Sequence, residues 1–505
     1  MESNQFVQDI QKGYSVKGKS FVLGTGVWEG NVYADAQVLV PLKMLNRHGL
    51  IAGATGTGKT KTLQLIAEQL SLSGIPLMMM DIKGDLSGLA APGSANPFIE
   101  ERYGKMNMAY HPEPFPVELL TLGGDPGSQM RATVSEFGPI LLSKVLDLNS
   151  TQQGLLSILF KYADDHGLLL IDLKDLTRLL QYAGDEGKEE IQKDYGSISS
   201  SSLSTILRKI IALQQQGADG IFGELSFDIR DLVRTDPSGK GIISILRLIN
   251  MQDRPAVFST FMLQLLTELY QTLPEEGDLD MPKLIIFIDE AHLIFNEASK
   301  ELMNQLESTI KLIRSKGVGI FFCTQNPQDV PADILGQLGM KVQHALRAFT
   351  ANDRKNIQRT ADNYPMSPYY QTDQLLTNIG IGEAVVTLLN EKGVPTPLVH
   401  TMMISPKSRM DILDQEEIDQ IIGKSSLYPK YSQPIDKESA YEMLERRIST
   451  GPKQGTEKTK AEDKPKKEKS MLETVLTSSA GKQLQRSMTR TIFGVLEKGL
   501  KSLFK

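Results

Sequence analysis

One octapeptide constrains this chain more than any other feature of its sequence. Residues 53–60 read Gly-Ala-Thr-Gly-Thr-Gly-Lys-Thr and match the pattern G-x-x-x-x-G-K-[ST] at every fixed position. The octapeptide follows the apolar run 50–52 and precedes a helical pattern at 60–71, which is the strand–loop–helix setting in which this pattern binds phosphate. The motif therefore predicts a nucleoside triphosphate site on an α/β fold.

Each part of this loop has a predicted role. The glycines let backbone N–H groups turn toward phosphate oxygens, and the helix N-terminus adds a partial positive charge. Lys59 is expected to contact the β- and γ-phosphates and Thr60 to ligate Mg²⁺, whereas Thr62 is assigned to the helix core. The predicted nucleotide-binding residues are Gly53, Ala54, Thr55, Gly56, Thr57, Gly58, Lys59, Thr60 and Lys61. The predicted cofactors are ATP and Mg²⁺.

A carboxylate pair follows the apolar run 284–288. Asp289 comes at the carboxyl-terminal end of this predicted strand, where ligands of open α/β sheets collect. Asp289 is therefore predicted to hold Mg²⁺, directly or through water, and Glu290 to polarise the attacking water. Residues 289–292 spell Asp-Glu-Ala-His, but the gap of 230 residues from Lys59 to Asp289 and the lack of a Gln/Arg-rich final motif argue against a superfamily-two helicase.

Three further polar features have open interpretations. Gln325 follows the apolar run 319–324 and either senses the γ-phosphate or is an ordinary residue at a strand end. Arg314, eleven residues earlier, either reaches the nucleotide or is a solvated helix arginine. Asp81 and Asp85 flank Lys83 and Gly84 after another apolar run, so this segment is a candidate to face the nucleotide.

Apolar runs alternate with helical patterns through the body of the chain. The predicted strands are 50–53, 75–81, 241–246, 284–289, 319–324, 341–346 and 384–389. The predicted helices between them are 60–71, 256–273, 297–316 and 352–360. Buried strands separated by helices predict a mostly parallel sheet with helices on both faces.

The pattern also divides the chain into segments. Residues 128–230 are almost wholly helical in pattern, which predicts a helical insertion between the second and third core strands. The predicted segments are a short N-terminal β-type segment (1–48), two parts of the nucleotide-binding core (49–127 and 231–405) around that insertion, a C-terminal helical extension (406–450), a flexible charged linker (451–470) and a basic amphipathic helix (471–505).

Charge separates the C-terminal tail from the rest of the chain. Residues 451–505 carry 13 Lys or Arg and 6 Asp or Glu, a net of +7, which leaves −13 for the first 450 residues of a chain whose total is −6. The linker has too few apolar side chains to offset the cost of ordering. The apolar spacing after it predicts a helix that docks on the protein or on a neighbouring subunit, or that binds a membrane surface or nucleic acid.

Composition excludes several classes of protein. A single cysteine, Cys323, excludes a disulfide framework and a cysteine-based zinc cluster. Residues 1–13 are too polar for a signal peptide, and no apolar run approaches the roughly 18 residues of a membrane span. The expected location is the cytoplasm.

Three segments resemble the HerA/FtsK superfamily of P-loop ATPases. They are Asn46-Arg47-His48-Gly49-Leu50-Ile51-Ala52 with the octapeptide that follows, Ile288-Asp289-Glu290-Ala291-His292, and Thr324-Gln325-Asn326-Pro327. The resemblance spans roughly residues 47–403, is of the HerA-like helicase C-terminal type, and points to the bacterial YjgR-type branch, to which the insertion would belong. It implies a RecA-like sheet and rings, usually hexameric, that couple ATP hydrolysis to moving DNA, or sometimes protein, through a central pore.

The resemblance also implies roles for individual residues. Lys59 and Thr60 would take the phosphate and Mg²⁺ roles, and Asp289 and Glu290 the metal and water-activating roles. Gln325 would be the sensor glutamine. Arg47 would reach the nucleotide of the neighbouring subunit, and Arg314 would act within its own subunit. An arginine from a neighbour stabilises charge on the transferred phosphoryl group only when the interface closes.

Three functions remain open at this point. The first is a ring-forming ATPase that moves or remodels nucleic acid, although the acidic body offers no broad basic surface of the kind on which DNA affinity depends. The second is an ATPase of the same fold that acts on a protein partner, recruited through the basic C-terminal helix. The third is a nucleotide switch without motor activity. No Leu-Ser-Gly-Gly-Gln signature of transporter ATPases and no Asn-Lys-x-Asp guanine motif occurs in the chain.

Overall fold

A computed structural model of the chain describes residues 2–249, 254–277, 279–295, 300–433, 435 and 437–449. The chain divides into two compact units, Met1–Glu442 and Met443–Lys505, and the fold below is that of the first together with its last helix, Ala440–Ser449, which continues past this boundary. The predicted linker at 451–470 and basic helix at 471–505 lie outside the described residues. The first three residues of the helix predicted at 297–316 also lie outside them.

The strands of the first unit form one sheet. They are β1 (Ser20–Trp28), β2 (Asn31–Pro41), β3 (Gly49–Ala52), β4 (Leu77–Asp81), β5 (Val117–Thr121), β6 (Ser128–Gln129), β7 (Ile243–Arg247), β8 (Leu284–Ile288), β9 (Val318–Thr324), β10 (Met340–Gln343), β11 (Glu383–Leu388) and β12 (Val399–Met403). Their order across the sheet is β2-β1-β12-β11-β10-β3-β9-β8-β4-β7-β5-β6.

Helices connect most of these strands. They are α1 (Glu2–Gly13), α2 (Lys59–Leu72), α3 (Pro97–Lys105), α4 (Val134–Val145), α5 (Ser150–Asp165), α6 (Leu173–Gly184), α7 (Lys188–Tyr195), α8 (Ser200–Gln215), α9 (Pro255–Thr272), α10 (His292–Phe295), α11 (Lys300–Ile313), α12 (Ala332–Leu335), α13 (Ala351–Asp362), α14 (Thr372–Asn378), α15 (Gln415–Lys424), α16 (Tyr428–Tyr431) and α17 (Ala440–Ser449). None of the described helices combines the length and the apolar character that spanning a bilayer requires.

The sheet has a parallel part and an antiparallel extension. From β10 to β6 every neighbouring pair is parallel, and from β2 to β10 every pair is antiparallel. The parallel strands therefore all end at one edge, here called the carboxyl edge, and begin at the opposite, amino edge. The octapeptide follows β3 and so lies at the carboxyl edge.

Apolar packing covers both faces of the parallel part. Ile51 of β3, Ile66 of α2 and Phe6 of α1 belong to one hydrophobic cluster on one face. On the opposite face, the ring of Phe322 in β9 lies 5.8 Å from that of Phe295 in α10. Strands buried on both sides read as continuous apolar runs, which is why these strands were predicted from the sequence.

All seven predicted core strands are confirmed, with ends shifted by a few residues, but three further strands, β5, β6 and β12, were not predicted. Glu118 interrupts the apolar run of β5, although its side chain is buried and accepts a hydrogen bond from Ser425. His400 and Thr401 similarly break the run of β12. Because β3, β4 and β5 all precede the insertion, its predicted place between the second and third core strands is wrong. Helices α4 to α8 do lie within 128–230.

The N-terminal β-type segment is part of the main sheet. Strands β1 and β2 form an antiparallel pair, and β1 pairs with β12, so residues 20–41 extend the sheet beyond β11 and β12. Helix α1, which precedes them, was not predicted. It packs Phe6 and Ile10 against this extension.

A segment after β12, residues 404–413, runs along α2 and is here called the strap. Three side chains on one face of α2 bind its backbone: Lys61 Nζ donates to the carbonyl of Met410 (2.6 Å), Gln64 Nε2 donates to that of Arg409 (3.3 Å), and Glu68 accepts the N–H groups of Lys407 (2.8 Å) and Ser408 (2.9 Å). Glu68 is completely buried, and burial raises its pKa to about 7 despite these bonds. The strap thus holds the helix that carries the octapeptide.

Replacing Glu68 with Ala is expected to lower the free energy of unfolding by about 2–4 kcal/mol, because the N–H groups of Lys407 and Ser408 would lose their acceptor in a buried place. Denaturant unfolding at constant pH measures the change. Glu416→Ala, at an exposed position of α15, is the matched control and should change stability by less than about 0.5 kcal/mol. Equal stability of the Glu68 and Glu416 variants would contradict the strap's role.

Candidate nucleotide-binding site

The octapeptide loop requires glycine at three of its eight positions. Gly53, Gly56 and Gly58 have φ angles of 152°, 77° and 114°, in the region that favours glycine. A Cβ atom on Gly53 would also lie 2.6 Å from the Cβ atom of His344. One on Gly58 would lie 3.3 Å from the Cα atom of Gly382. The glycines of the motif therefore meet both a conformational and a steric requirement.

Lys59 begins α2, and its side chain folds back over the loop. Its Nζ atom donates to the carbonyl oxygens of Gly53 (2.7 Å) and Ala54 (3.2 Å). The side chain is buried, and burial lowers its pKa. The hydroxyl of Thr57 donates to the carbonyl of Ala54 (2.7 Å) and closes the turn. The amine predicted to bind phosphate thus lies within the loop itself.

The two residues after Lys59 have different surroundings. Thr60 is half-buried in the first turn of α2, where its hydroxyl follows the loop directly. Lys61 instead directs its Nζ atom to Gln64 Oε1 (3.0 Å) and to the strap carbonyl of Met410 (2.6 Å). The side chain of Lys61 is therefore engaged elsewhere, and only its backbone N–H group is available to a nucleotide.

The predicted carboxylate pair lies at the same edge of the sheet as the loop. Strand β9 separates β8, which Asp289 and Glu290 follow, from β3. Both carboxylates are nearly inaccessible, with exposed fractions of 7% and 6%. Burial raises the pKa of Asp289, and the nearby charge of Lys83 opposes that shift. Glu290 has a φ of 47°, a left-handed conformation that few non-glycine residues adopt.

Lys83 is the partner of Glu290. Its Nζ atom lies 2.6 Å from Glu290 Oε1, and although partial burial disfavours its charge, this bond raises its pKa. Asp81, at the end of β4, shapes the loop that carries Lys83 by accepting the N–H groups of residues 84, 85 and 86. The sequence marked the segment around Lys83 as facing the nucleotide but did not identify Glu290 as its partner. The sequence feature that could have indicated this partner is Lys83 itself, a lysine two residues beyond the apolar run 75–81.

His344 lies against the phosphate loop, and the sequence did not predict it as a residue of the site. Its Nδ1 atom lies 2.8 Å from the carbonyl of Glu383 and its Nε2 atom 2.9 Å from the hydroxyl of Thr62. Burial lowers the pKa of His344 to about 4. A neutral ring must donate from Nδ1 to the carbonyl, so Nε2 accepts from Thr62. Thr62, assigned from sequence to the helix core, is buried there with a hydrogen bond to His344.

The oxygen atoms at this edge suit Mg²⁺. The Thr60 hydroxyl and the Asp289 carboxylate are hard ligands of the kind that this ion takes together with phosphate and water. Glu290 Oε2 is buried without a hydrogen-bond partner, 3.3 Å from His292 Nδ1. Within the described residues no cluster of three or more His, Cys, Asp or Glu side chains forms a metal cage. The residues present therefore fit a metal ion held jointly with a nucleotide.

Gln325 lies at the carboxyl edge next to the loop. It directly follows Thr324, the last residue of β9, whose carbonyl accepts the N–H of Gly53 at 3.3 Å. Its side chain is exposed. The structure therefore brings Gln325 to the same edge as Lys59 and Asp289.

The two predicted arginines lie at the opposite edge of the sheet. Arg47 precedes β3 and Arg314 precedes β9, so both are at the amino edge. Burial lowers the pKa of His48, the neighbour of Arg47, and the nearby charge of Arg314 adds to this shift. The seven residues of β9 span about 23 Å, so the predicted action of Arg314 within its own subunit is not supported. Arg47 likewise lies at the edge opposite the phosphate loop of its own chain.

Comparison with known sequences identifies related proteins. A sequence model of the family described as Helicase HerA-like C-terminal matches residues 29–503. The DNA double-strand break repair helicases HerA of Sulfolobus acidocaldarius and Sulfurisphaera tokodaii are 23% and 24% identical to the chain over 360 and 332 residues, or 70% and 65% of its length. The chain spans 64% and 61% of the length of these two relatives.

Comparison with solved structures shows the fold. The unbound bacterial conjugative coupling protein TrwB matches with a TM-score of 0.52 at 15% identity, over 81% of this chain and 95% of that one. TrwB in complex with ADP and Mg²⁺ matches with a TM-score of 0.50 at 15% identity, over 78% and 97%. This structural match and the octapeptide at residues 53–60 together show that the chain has the α/β fold of P-loop NTPases.

Acidification is expected to destabilise the protein through His344. Because its pKa is about 4 in the folded protein and about 6.5 when unfolded, the unfolded chain binds more protons between these values, and stability falls as pH falls through that range. From pH 7.5 to pH 5 the wild type should lose about 2 kcal/mol more than His344→Gln. Denaturant unfolding at both pH values measures this. Other titrating groups contribute to both proteins, so their effects cancel in this difference. Equal losses of stability in the two proteins would contradict the role assigned to His344.

Proposed function

The chain belongs to the Helicase HerA-like C-terminal family, and on that premise we propose that it binds ATP with Mg²⁺ at the loop 53–60 and hydrolyses it. One observation carries this proposal. Lys59, Asp289 and Glu290 come from distant parts of the sequence and meet at the carboxyl edge because β3, β9 and β8 are parallel neighbours. Phosphate, metal and water-activating groups at one edge are the parts that phosphoryl transfer to water requires.

Glu290 is the group that polarises the attacking water in this proposal. Its Oε1 atom is held by Lys83, whereas its Oε2 atom is buried without a hydrogen bond and has His292 Nδ1 3.3 Å away. Oε2 is therefore the atom suited to accept a proton from water. The ion pair with Lys83 fixes the carboxylate in one orientation.

Lys59 and the backbone N–H groups of the loop would hold the phosphates. Moving Nζ from the carbonyls of Gly53 and Ala54 to phosphate oxygens replaces neutral acceptors by charged ones, which strengthens its hydrogen bonds. Thr60 and Asp289 would hold Mg²⁺, which when bound offsets charge that develops on the phosphoryl group.

The location of Arg47 supports assembly into a ring. An arginine at the amino edge cannot reach the phosphate loop of its own chain, but a neighbouring copy whose carboxyl edge faces it would receive it. We therefore assign Arg47 to the nucleotide site of the next subunit, with a hexamer as the expected closed assembly. The assignment to the bacterial YjgR-type branch stays a prediction.

Nucleic acid is the proposed substrate of the motor. The names of the two related helicases support it, since both are DNA double-strand break repair proteins. The net charge of −13 over residues 1–450 limits any DNA contact to local basic surfaces, such as loops lining a pore.

Two substitutions separate ATP binding from hydrolysis. Lys59→Ala should abolish binding of Mg·ATP, whereas Glu290→Gln should retain binding and lower turnover about 100-fold or more. Calorimetric titration measures binding, and phosphate release measures turnover. The exposed Glu416→Gln variant should behave as wild type. Undiminished turnover of the Glu290 variant would remove that residue from its role, and absence of ATP binding by the wild type would refute the proposal.

DNA should raise the rate of ATP turnover, and the stimulation should fall steeply with salt as phosphate contacts are screened. Arg47→Ala should leave ATP binding unchanged and lower DNA-stimulated turnover by about 1000-fold or more, since about 1000-fold is the lower end of what an arginine supplied to a phosphoryl-transfer site contributes. Arg208→Ala, on insertion helix α8, is the control. A rate of ATP turnover that DNA does not change but that a protein partner raises would indicate that the motor acts on protein.

A further inference from the structure

The order of the strands fixes how a nucleotide lies across the loop. Strand β3 has β9 and then β8 on one side, and β10 and then β11 on the other. The γ-phosphate must point toward Asp289 and Glu290, which follow β8. The opposite end of the nucleotide, with its base, therefore points toward β10 and β11.

A short loop at 379–382 occupies that side. It leads into β11, which is antiparallel to β10 and so begins at the carboxyl edge. The N–H of Gly382 donates to the carbonyl of Thr57 in the phosphate loop at 3.1 Å. The two loops are therefore joined directly, and residues 379–382 continue the surface of the phosphate loop.

Arg102 of α3 holds this loop against an exposed aromatic ring. Arg102 is 7% exposed, and its guanidinium donates to the carbonyls of Ile381 (3.0 Å), Gly382 (2.8 Å) and Met403 (2.9 Å). Its Cζ atom lies 5.1 Å from the centre of the Phe98 ring. Arg102 thus fixes Phe98 and Ile381 beside the phosphate loop and is a positioning residue.

Both apolar side chains of this surface face solvent. Phe98 is 61% exposed and Ile381 68% exposed. Helix α3 does not need Phe98 for its packing, since Ile99 and Tyr103 form its buried side and the Asn96 side chain caps its first turn. A fixed aromatic ring and an isoleucine exposed at the base end of the loop suit a flat, apolar ligand.

We propose that Phe98 and Ile381, held by Arg102, form the subsite on which the base of the bound nucleotide stacks. This inference rests on the proposed function, because it assumes that the phosphates occupy the loop 53–60. Stacking on an aromatic side chain uses the π-face that every base presents. The subsite therefore adds affinity for nucleosides and none for phosphate alone.

The test compares ADP with inorganic tripolyphosphate, both with Mg²⁺, by calorimetric titration of the full-length chain. Phe98→Ala is expected to weaken ADP binding roughly 5- to 100-fold, the usual effect of removing one base-stacking side chain. Tripolyphosphate binding should stay within about twofold of wild type, since no phosphate contact is lost. Ile381→Ala should also weaken ADP binding. Phe98→Trp, which keeps an aromatic ring at this position, should bind ADP as tightly as the wild type. Met366→Ala, another exposed apolar position, is the matched control.

The outcomes separate the subsite from the proposed function. Unchanged ADP affinity in both alanine variants overturns the subsite and leaves the proposed function intact, as does an equal loss of ADP and tripolyphosphate binding. Binding of neither ligand by the wild type overturns both. Lys59→Ala should weaken both ligands together, which distinguishes loss of the phosphate loop from loss of the base contact.

Discussion

Parallel pairing of β3 with β9 and β10 is the constraint on which the candidate site depends. Ala52, the last residue of β3, lies opposite Thr324 and Gln343, so the chain segments that follow these strands start side by side. The phosphate loop, Gln325 and His344 are those segments. Shifting β3 by one residue would reverse which of its side chains face each layer of helices, and the loop would lose its support from His344.

Buried charge at the site is compensated within the protein. Lys59 binds carbonyl oxygens, Lys83 binds Glu290, and Asp81 accepts three backbone N–H groups. Leaving Lys59, Asp81 or Glu290 unpaired in its buried position would cost several kcal/mol. Binding a nucleotide therefore replaces the present hydrogen-bond partners of these groups by atoms of the nucleotide. Specificity for the nucleotide follows from protein groups that already have fixed positions.

Local patterns carried most of what could be predicted. The phosphate loop, the Asp289–Glu290 pair and the apolar strands are each contiguous in sequence, so pattern and spacing were enough to find them. The contacts of His344 with Thr62 and of Arg102 with Gly382 join residues 282 and 280 positions apart, and no local signal reports such pairs. Arg314 shows the converse, because its closeness to Gln325 in sequence hides the strand β9 that takes the two residues to opposite edges. Arg47 was found by resemblance, and its position at the amino edge could be understood only from the sheet.

The strap determines where a shortened form of this protein can end without losing bonds to α2. Residues 404–413 follow the last strand, so a boundary drawn after β12 by counting strands, like the predicted one at 405, would leave them out. A protein that ended there would lack the N–H groups of Lys407 and Ser408 that Glu68 binds, and Leu413 and Ile418 would be missing from the cluster that includes Ile66. A shortened protein intended for crystallisation or for ligand titration should therefore retain α15, even though every residue of the phosphate site lies earlier in the chain.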